Sequence, residues 1–366
     1  MIASRASVVG IGTDIGGSVR IPAHFSGTYA LKPTSRRLSL KGFRPSVPGQ
    51  DAVPGVAGVM ANTVNDIILV LRELWTKQCW DADHDLIPLS LDTTECANDG
   101  KLVVGYYLDD GVAAASPPCR RAVLETVEAL RAAGHTVVEF KPPSMVDAIA
   151  LYYQLMTADG SDTISEQLKG EIYEDYSSTL IATVNQPQWL KNIVAGIAKY
   201  LLKDPVAARL TLATGKRSIQ DLWQVQYKKK AYRQEFFDAW QAHGNRFDVV
   251  LSPAHALPAV PHGSFKKISF ACSYTMLYNL LDLPAGVVPV TAVDPNKDQW
   301  NSKPKGVLEA RLRQQYNADK MAGLPIGVQI AGLPMEDETV LRAMRQISDL
   351  MQFNHRPPTA PKAKSV

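Results

Sequence analysis

The stretch GIGTDIGGSVRIPAHFSG, residues 10–27, sets Gly10, Gly12, Gly16, Gly17 and Gly27 around Ser18, and the chain then stops being glycine-rich. Glycine loses more conformational entropy on folding than any other residue, so such a run marks backbone that must turn sharply or approach another group closely. With no Cβ in the way at the two glycines, Ile15, Gly16, Gly17 and Ser18 can aim their amides into one hollow beside the Ser18 hydroxyl. Acyl transfer demands that arrangement: an exposed nucleophile, with N–H donors directed at the oxyanion its attack creates. A bare Gly-Gly-Ser also serves as a plain tight turn, and the tripeptide alone leaves both readings open.

The rest of the chain bounds the fold. Its 366 residues, 46% hydrophobic and 20% charged, suffice for a large buried core. A formal net charge of +3 gives no electrostatic case for a nucleic-acid partner. Cys79, Cys96, Cys119 and Cys272 are widely spaced, without metal-ligand spacing, and read as free thiols of a reducing compartment. No run approaches a spanning helix and residues 1–10 lack the features of a signal peptide, so a cytoplasmic protein is expected.

Short apolar runs bounded by turn residues occur at 101–107, 135–140, 247–253, 284–293 and 324–332, and read as strands buried on both faces. Between the first two, residues 116–134 read as a helix with Ser116 as its cap, Pro117 in the first turn and Gly134 at its end. That alternation predicts an α/β fold with partly parallel pairing. The polar stretch 296–320 reads as a surface excursion between two core strands, and 356–366 as a disordered tail after a domain spanning 1–355.

GTDIGGSVRIPAHFSGTYALKPT, within the segment 10–34, closely resembles the nucleophile segment of the amidase signature family, serine hydrolases that cleave amides through a Ser–cis-Ser–Lys triad. DVVLSPAHALPAVPHG, SYTMLYNLLDLPAGVVPVT and AGLPIGVQIAGLP extend the resemblance to the eukaryotic branch of fatty acid amide hydrolases and fungal acetamidases. It implies a large mixed sheet flanked by helices. It makes Ser18 the acyl-forming nucleophile, Ile15, Gly16, Gly17 and Ser18 the oxyanion hole, and Thr13, Asp14 and Arg20 the braces of the loop. Lipid or small carboxylic amides are the implied substrates, no metal or organic cofactor is implied, and a homodimer is expected.

In that family the cis-serine and the base lysine lie upstream of the nucleophile, and only seventeen residues precede Ser18 here. Lys32 and Lys41 follow the nucleophile and match other family positions. The chain is therefore expected to lack the family's N-terminal portion and to hydrolyse amides weakly or not at all, since an unassisted serine hydroxyl is a poor nucleophile. A non-catalytic remnant that keeps the pocket is the competing reading. A Ser18–His–Asp arrangement using His255 or His262 with Asp248 is a further alternative.

Residues 186–218 carry Trp189, Ile193, Ile197 and Leu201 at helical spacing, with Lys191, Lys199 and Lys203 on another face. The pattern suits a helix lying in a membrane interface, and equally an amphipathic helix packed on its own core. The resemblance implies a membrane cap at this place, and with it a peripheral location on an intracellular membrane. YNLLDLPAGVVPVT and LPIGVQIAG read as walls of an acyl pocket or as plain core strands.

Overall fold

Strands without a polar face belong in the middle of a sheet, and three of the expected runs behave so. In the computed structural model, which describes residues 1–172, 175–242 and 246–353, they form β6 (Val249–Pro253), β7 (Ala285–Ala292) and β8 (Pro325–Ala331), with β6 and β8 buried throughout. The other strands are β1 (Val9–Asp14), β2 (Tyr29–Lys32), β3 (Val56–Ala61), β4 (Val103–Tyr106) and β5 (Thr136–Glu139). All eight join one sheet in the order β1-β3-β2-β7-β8-β6-β4-β5.

Pairing is parallel between β4 and β5 and between β4 and β6, and antiparallel elsewhere. The expected strand–helix–strand unit supplies the parallel edge: the helix Pro117–Ala132 connects β4 to β5, and Gly134 leaves it at a φ of 89°. Ser116 takes the cap position, but its side chain makes no capping hydrogen bond. β5 also departs from expectation. It is one of the two edge strands, and only Val137 of its four residues is buried.

The polar excursion between β7 and β8 is anchored rather than loose. Asp298 is buried and accepts two hydrogen bonds from Arg121, at 2.9 and 2.7 Å, while Leu308 and Leu312 of the helix Val307–Gln314 turn into the core. All four cysteines are free thiols. Among the described residues no helix is long and apolar enough to cross a membrane. The tail expected at 356–366 lies outside the described residues.

Candidate active site

β1 delivers the glycine-serine segment and the helix Arg20–Ser26 carries it away, so the loop between them is held at both ends. Its organising group is Asp14. The buried carboxylate accepts from the Gly17 N–H at 2.8 Å, the Val19 N–H at 3.2 Å, Arg20 Nε at 3.0 Å, Arg20 Nη2 at 2.9 Å and Asn279 Nδ2 at 3.0 Å. Burial works to raise its pKa, but the Arg20 charge and hydrogen bonds, the Lys32 charge and Asn279 outweigh it and hold Asp14 well below the usual carboxylate range. Arg20 continues the network to Gln329 Oε1 at 2.7 Å and Asn279 Oδ1 at 2.6 Å.

The two glycines at the turn are required by space. Gly17 has a φ of 124°, and a Cβ there would meet Ile21 Cδ1 at 2.7 Å and the Thr275 side chain. A Cβ on Gly16 would meet the Tyr152 hydroxyl at 2.7 Å. That hydroxyl donates to the Ile15 carbonyl at 3.1 Å. The Thr275 hydroxyl lies 2.7 Å from the Gly16 carbonyl and 2.8 Å from that of Cys272, with one proton for the two.

In a trans peptide the carbonyl and the following N–H point in opposite directions, so Tyr152 turns the Gly16 N–H to the side away from itself. The Gly17 N–H is committed to Asp14, whereas the amides of Ile15, Gly16 and Ser18 make no hydrogen bond among the described residues. Of the four amides read from the sequence as an oxyanion hole, that of Gly17 is thus engaged by the carboxylate that shapes the turn. Ser18 itself is exposed, and among the described residues its hydroxyl has no hydrogen-bond partner. Thr13 lies on β1 opposite Ala57 and, with Ile15, lines a cavity of about 1480 Å³ beside the loop.

The lysines that follow Ser18 are otherwise occupied. Lys32 is buried with Nζ donating to the Pro33 carbonyl at 3.0 Å, and Lys41 Nζ donates to the Ala82 carbonyl at 2.9 Å. Burial and then the Arg20 charge lower the Lys32 pKa to about 8 against the pull of Asp282, Asp14 and Asp337. The alternative histidine triad does not assemble. Asp248 precedes β6 and holds the Val103 N–H, whereas His255 follows the strand, some seven residues or roughly 20 Å of extended chain away. His255 is buried against Phe25 and Phe265, and His262 is exposed.

Sequence reasoning missed Tyr152, Thr275, Asn279 and Gln329, which lie far along the chain from the loop they support. Gln329 left one signal: a lone amide inside an apolar strand must find a buried partner.

At Trp189 the chain forms the helix Gln188–Gly196 and continues as a turn of π-helix, Ile197–Leu201. Trp189, Ile193, Ile197 and Leu201 are all exposed, Trp189 by 63% and Leu201 by 74%. The inner face is made by Ala195 and Ala198 against Ala208. Lys191 does not join a solvated face: it is buried, and Nζ donates to the carbonyls of Val184 at 2.7 Å and Thr214 at 3.0 Å.

The loop stands on a mixed sheet, and the family model described as Amidase matches residues 1–341. The chain belongs to that family. It is similar to fatty-acid amide hydrolase 1 of Sus scrofa, 36% identical over 98% of this chain and 61% of that protein, and to the acetamidase of Emericella nidulans, 30% identical over 96% and 61%. A solved fatty acid amide hydrolase superposes with a TM-score of 0.78 at 28% identity, covering 96% of this chain and 58% of that one. The chain therefore spans about three fifths of the length of the curated relatives it matches.

Proposed function

We propose that the protein is an amide hydrolase that works through an acyl-enzyme on Ser18, with fatty acid amides or small carboxylic amides as substrates. The observation that carries this reading is the exposed Ser18 hydroxyl beside three uncommitted amides, on a loop braced by Asp14 and Arg20. Ser18 Oγ would attack the amide carbonyl carbon, its proton ending on the nitrogen that departs, and the oxyanion would be met by the N–H groups of Ile15, Gly16 and Ser18. Collapse of the tetrahedral intermediate breaks the C–N bond, the amine leaves with a proton, and water then frees the acid from Ser18. The names of the relatives, fatty-acid amide hydrolase and acetamidase, support both substrate classes.

The exposed Trp189, Ile193, Ile197 and Leu201 support a second element of the reading, an apolar cap that rests on a membrane surface and delivers lipid amides. A homodimer is carried by the family resemblance alone, and sedimentation of the purified protein checks it. The test of the nucleophile is covalent labelling by a fluorophosphonate probe. Any labelling of the 366-residue chain should be lost in Ser18→Ala, with unchanged melting temperature. Equal labelling of both proteins removes Ser18 from the role, and no labelling of either favours a remnant that binds without turnover.

A further inference from the structure

Residues 39–52 run from buried Leu38 to buried Val53 without forming a helix or a strand. All but Ser39, Gly42 and Pro48 line the cavity of about 1480 Å³, whose wall also includes Thr13 and Ile15 at the root of the Ser18 loop. The segment is a strap fastened at its ends. Ser39 Oγ donates to the Asp83 carboxylate, Lys41 Nζ donates to the Ala82 carbonyl at 2.9 Å, and the Ala52 carbonyl accepts from Lys229 Nζ. Between these ends, the hydrogen bonds to other elements among the described residues are two: an exposed one from Gln167 Nε2 to the Ser46 carbonyl at 3.0 Å, and one from Gln50 Nε2 to Met156 Sδ at 3.1 Å.

Two turns bound the middle of the strap. The Phe43 N–H donates to the Leu40 carbonyl at 2.9 Å and the Gln50 N–H to the Val47 carbonyl at 3.3 Å. The third residue of each turn is a glycine in the left-handed region, Gly42 at a φ of 86° and Gly49 at 80°. Beyond the chain neighbours, no atom lies within 4 Å of the place a Cβ would take on either glycine, so nothing packed beside these turns resists their movement. Positions of this kind, at the ends of a weakly held span, absorb the backbone rotation of hinged loops. Phe43 follows the first turn. It lines the cavity yet is 46% exposed, and Leu40 before it is 40% exposed. The space is larger than the roughly 300–1,000 Å³ that suits a small-molecule pocket, so a ligand in it leaves apolar wall in contact with water unless the wall moves inward.

We propose that this strap is a lid: when an apolar ligand occupies the cavity, residues 43–48 swing inward on Gly42 and Gly49, and Phe43 passes from solvent onto the ligand. The closed strap shields Ile15 and the amides beside Ser18 from bulk water. Only the choice of ligand rests on the amide-hydrolase reading, through its fatty acid amide class.

The intact chain carrying Ser18→Ala, which cannot turn over by the proposed route, is followed by hydrogen-exchange mass spectrometry with and without dodecanamide, and its affinity for dodecanamide is measured by calorimetry. The ligand should slow exchange across residues 39–52 by at least about tenfold. Adding Phe43→Ser should remove that slowing at saturating ligand and weaken binding about fivefold, as expected when the exposed half of one phenylalanine is no longer covered. The melting temperature should not change, because that side chain already stands half in solvent. Bound dodecanamide with unaltered exchange in the strap overturns the lid and leaves the hydrolase reading standing. Slowing that persists in Phe43→Ser at unchanged affinity describes a strap that is touched but does not close, and overturns the lid as well. Dodecanamide that binds neither protein overturns the lid together with the fatty acid amide class, while the fluorophosphonate comparison of wild type with Ser18→Ala still decides the role of the serine by itself.

Discussion

Asp14 bears more of the candidate site than the serine it serves. Its carboxylate sets the Gly17 amide, neutralises buried Arg20 and reaches Asn279, so Asp14→Asn keeps the shape but strands a buried guanidinium. Removing one partner of a buried pair costs about 3–5 kcal/mol. Urea denaturation should show a loss of that order, and a loss within experimental error would mean that Arg20 finds full compensation in Gln329 and Asn279. Gly17→Ala tests the turn itself. Its left-handed φ and the adjacent Ile21 and Thr275 side chains should make the variant less stable by at least about 1 kcal/mol and unreactive toward the fluorophosphonate probe. Full reactivity would show that the loop tolerates another path.

At the scale of elements, the strands that could be read from sequence were those with uninterrupted apolar runs, and β6, β7 and β8 are the centre of the sheet. β1 escaped because its residues belong to the glycine-rich segment, whose turn signal masks a strand that pairs with β3 over six residues. β2, four residues between a short helix and a proline, is too short to show periodicity. The glycine-serine turn was legible because its requirements are local, whereas its supports at Tyr152, Thr275, Asn279 and Gln329 are brought in by tertiary packing that no spacing encodes. The segment around Trp189 was legible as amphipathic but not as to which face is covered, and the alanine contact decides that. Changing Trp189, Ile193 and Ile197 together to serine should therefore release the protein from liposomes and leave its melting temperature within a degree or two, since the three side chains are already exposed. Were they buried, each would contribute about 1.5–3 kcal/mol. A lost fold with unchanged partitioning would rule the cap out.

For the molecule as a whole, the helix that follows Ser18 is fastened across the sheet by a histidine. His24 Nδ1 accepts the Gly327 N–H of β8 at 2.9 Å, which places the ring proton on Nε2, and Nε2 donates to the Leu257 carbonyl beyond β6 at 3.0 Å. His255 packs beside it and accepts the Leu257 N–H at 3.1 Å. Burial lowers the pKa of His24 to about 4, against the two backbone hydrogen bonds. Burial and the neighbouring His24 lower that of His255 to about 3. Both lie below the unfolded value of about 6.5, so as pH falls through 6.5 the unfolded chain takes up protons that the folded one refuses, and stability is lost. Asp110 acts in the opposite sense. Burial outweighs its hydrogen bonds from Ser273 and the Val112 and Ala113 amides and raises its pKa to about 7, so between about 4 and 7 the folded chain holds a proton that the unfolded chain does not. Two variants should consequently move the pH dependence of urea stability between pH 5 and 6.5 in opposite directions. Relative to wild type, His255→Gln should lower the slope by about 1.4 kcal/mol per pH unit, and Asp110→Asn should raise it by a similar amount. Parallel slopes in all three proteins would show that these buried groups do not govern the acid limb, and shifts of the same sign in both variants would contradict the assignment of opposite proton balances to them.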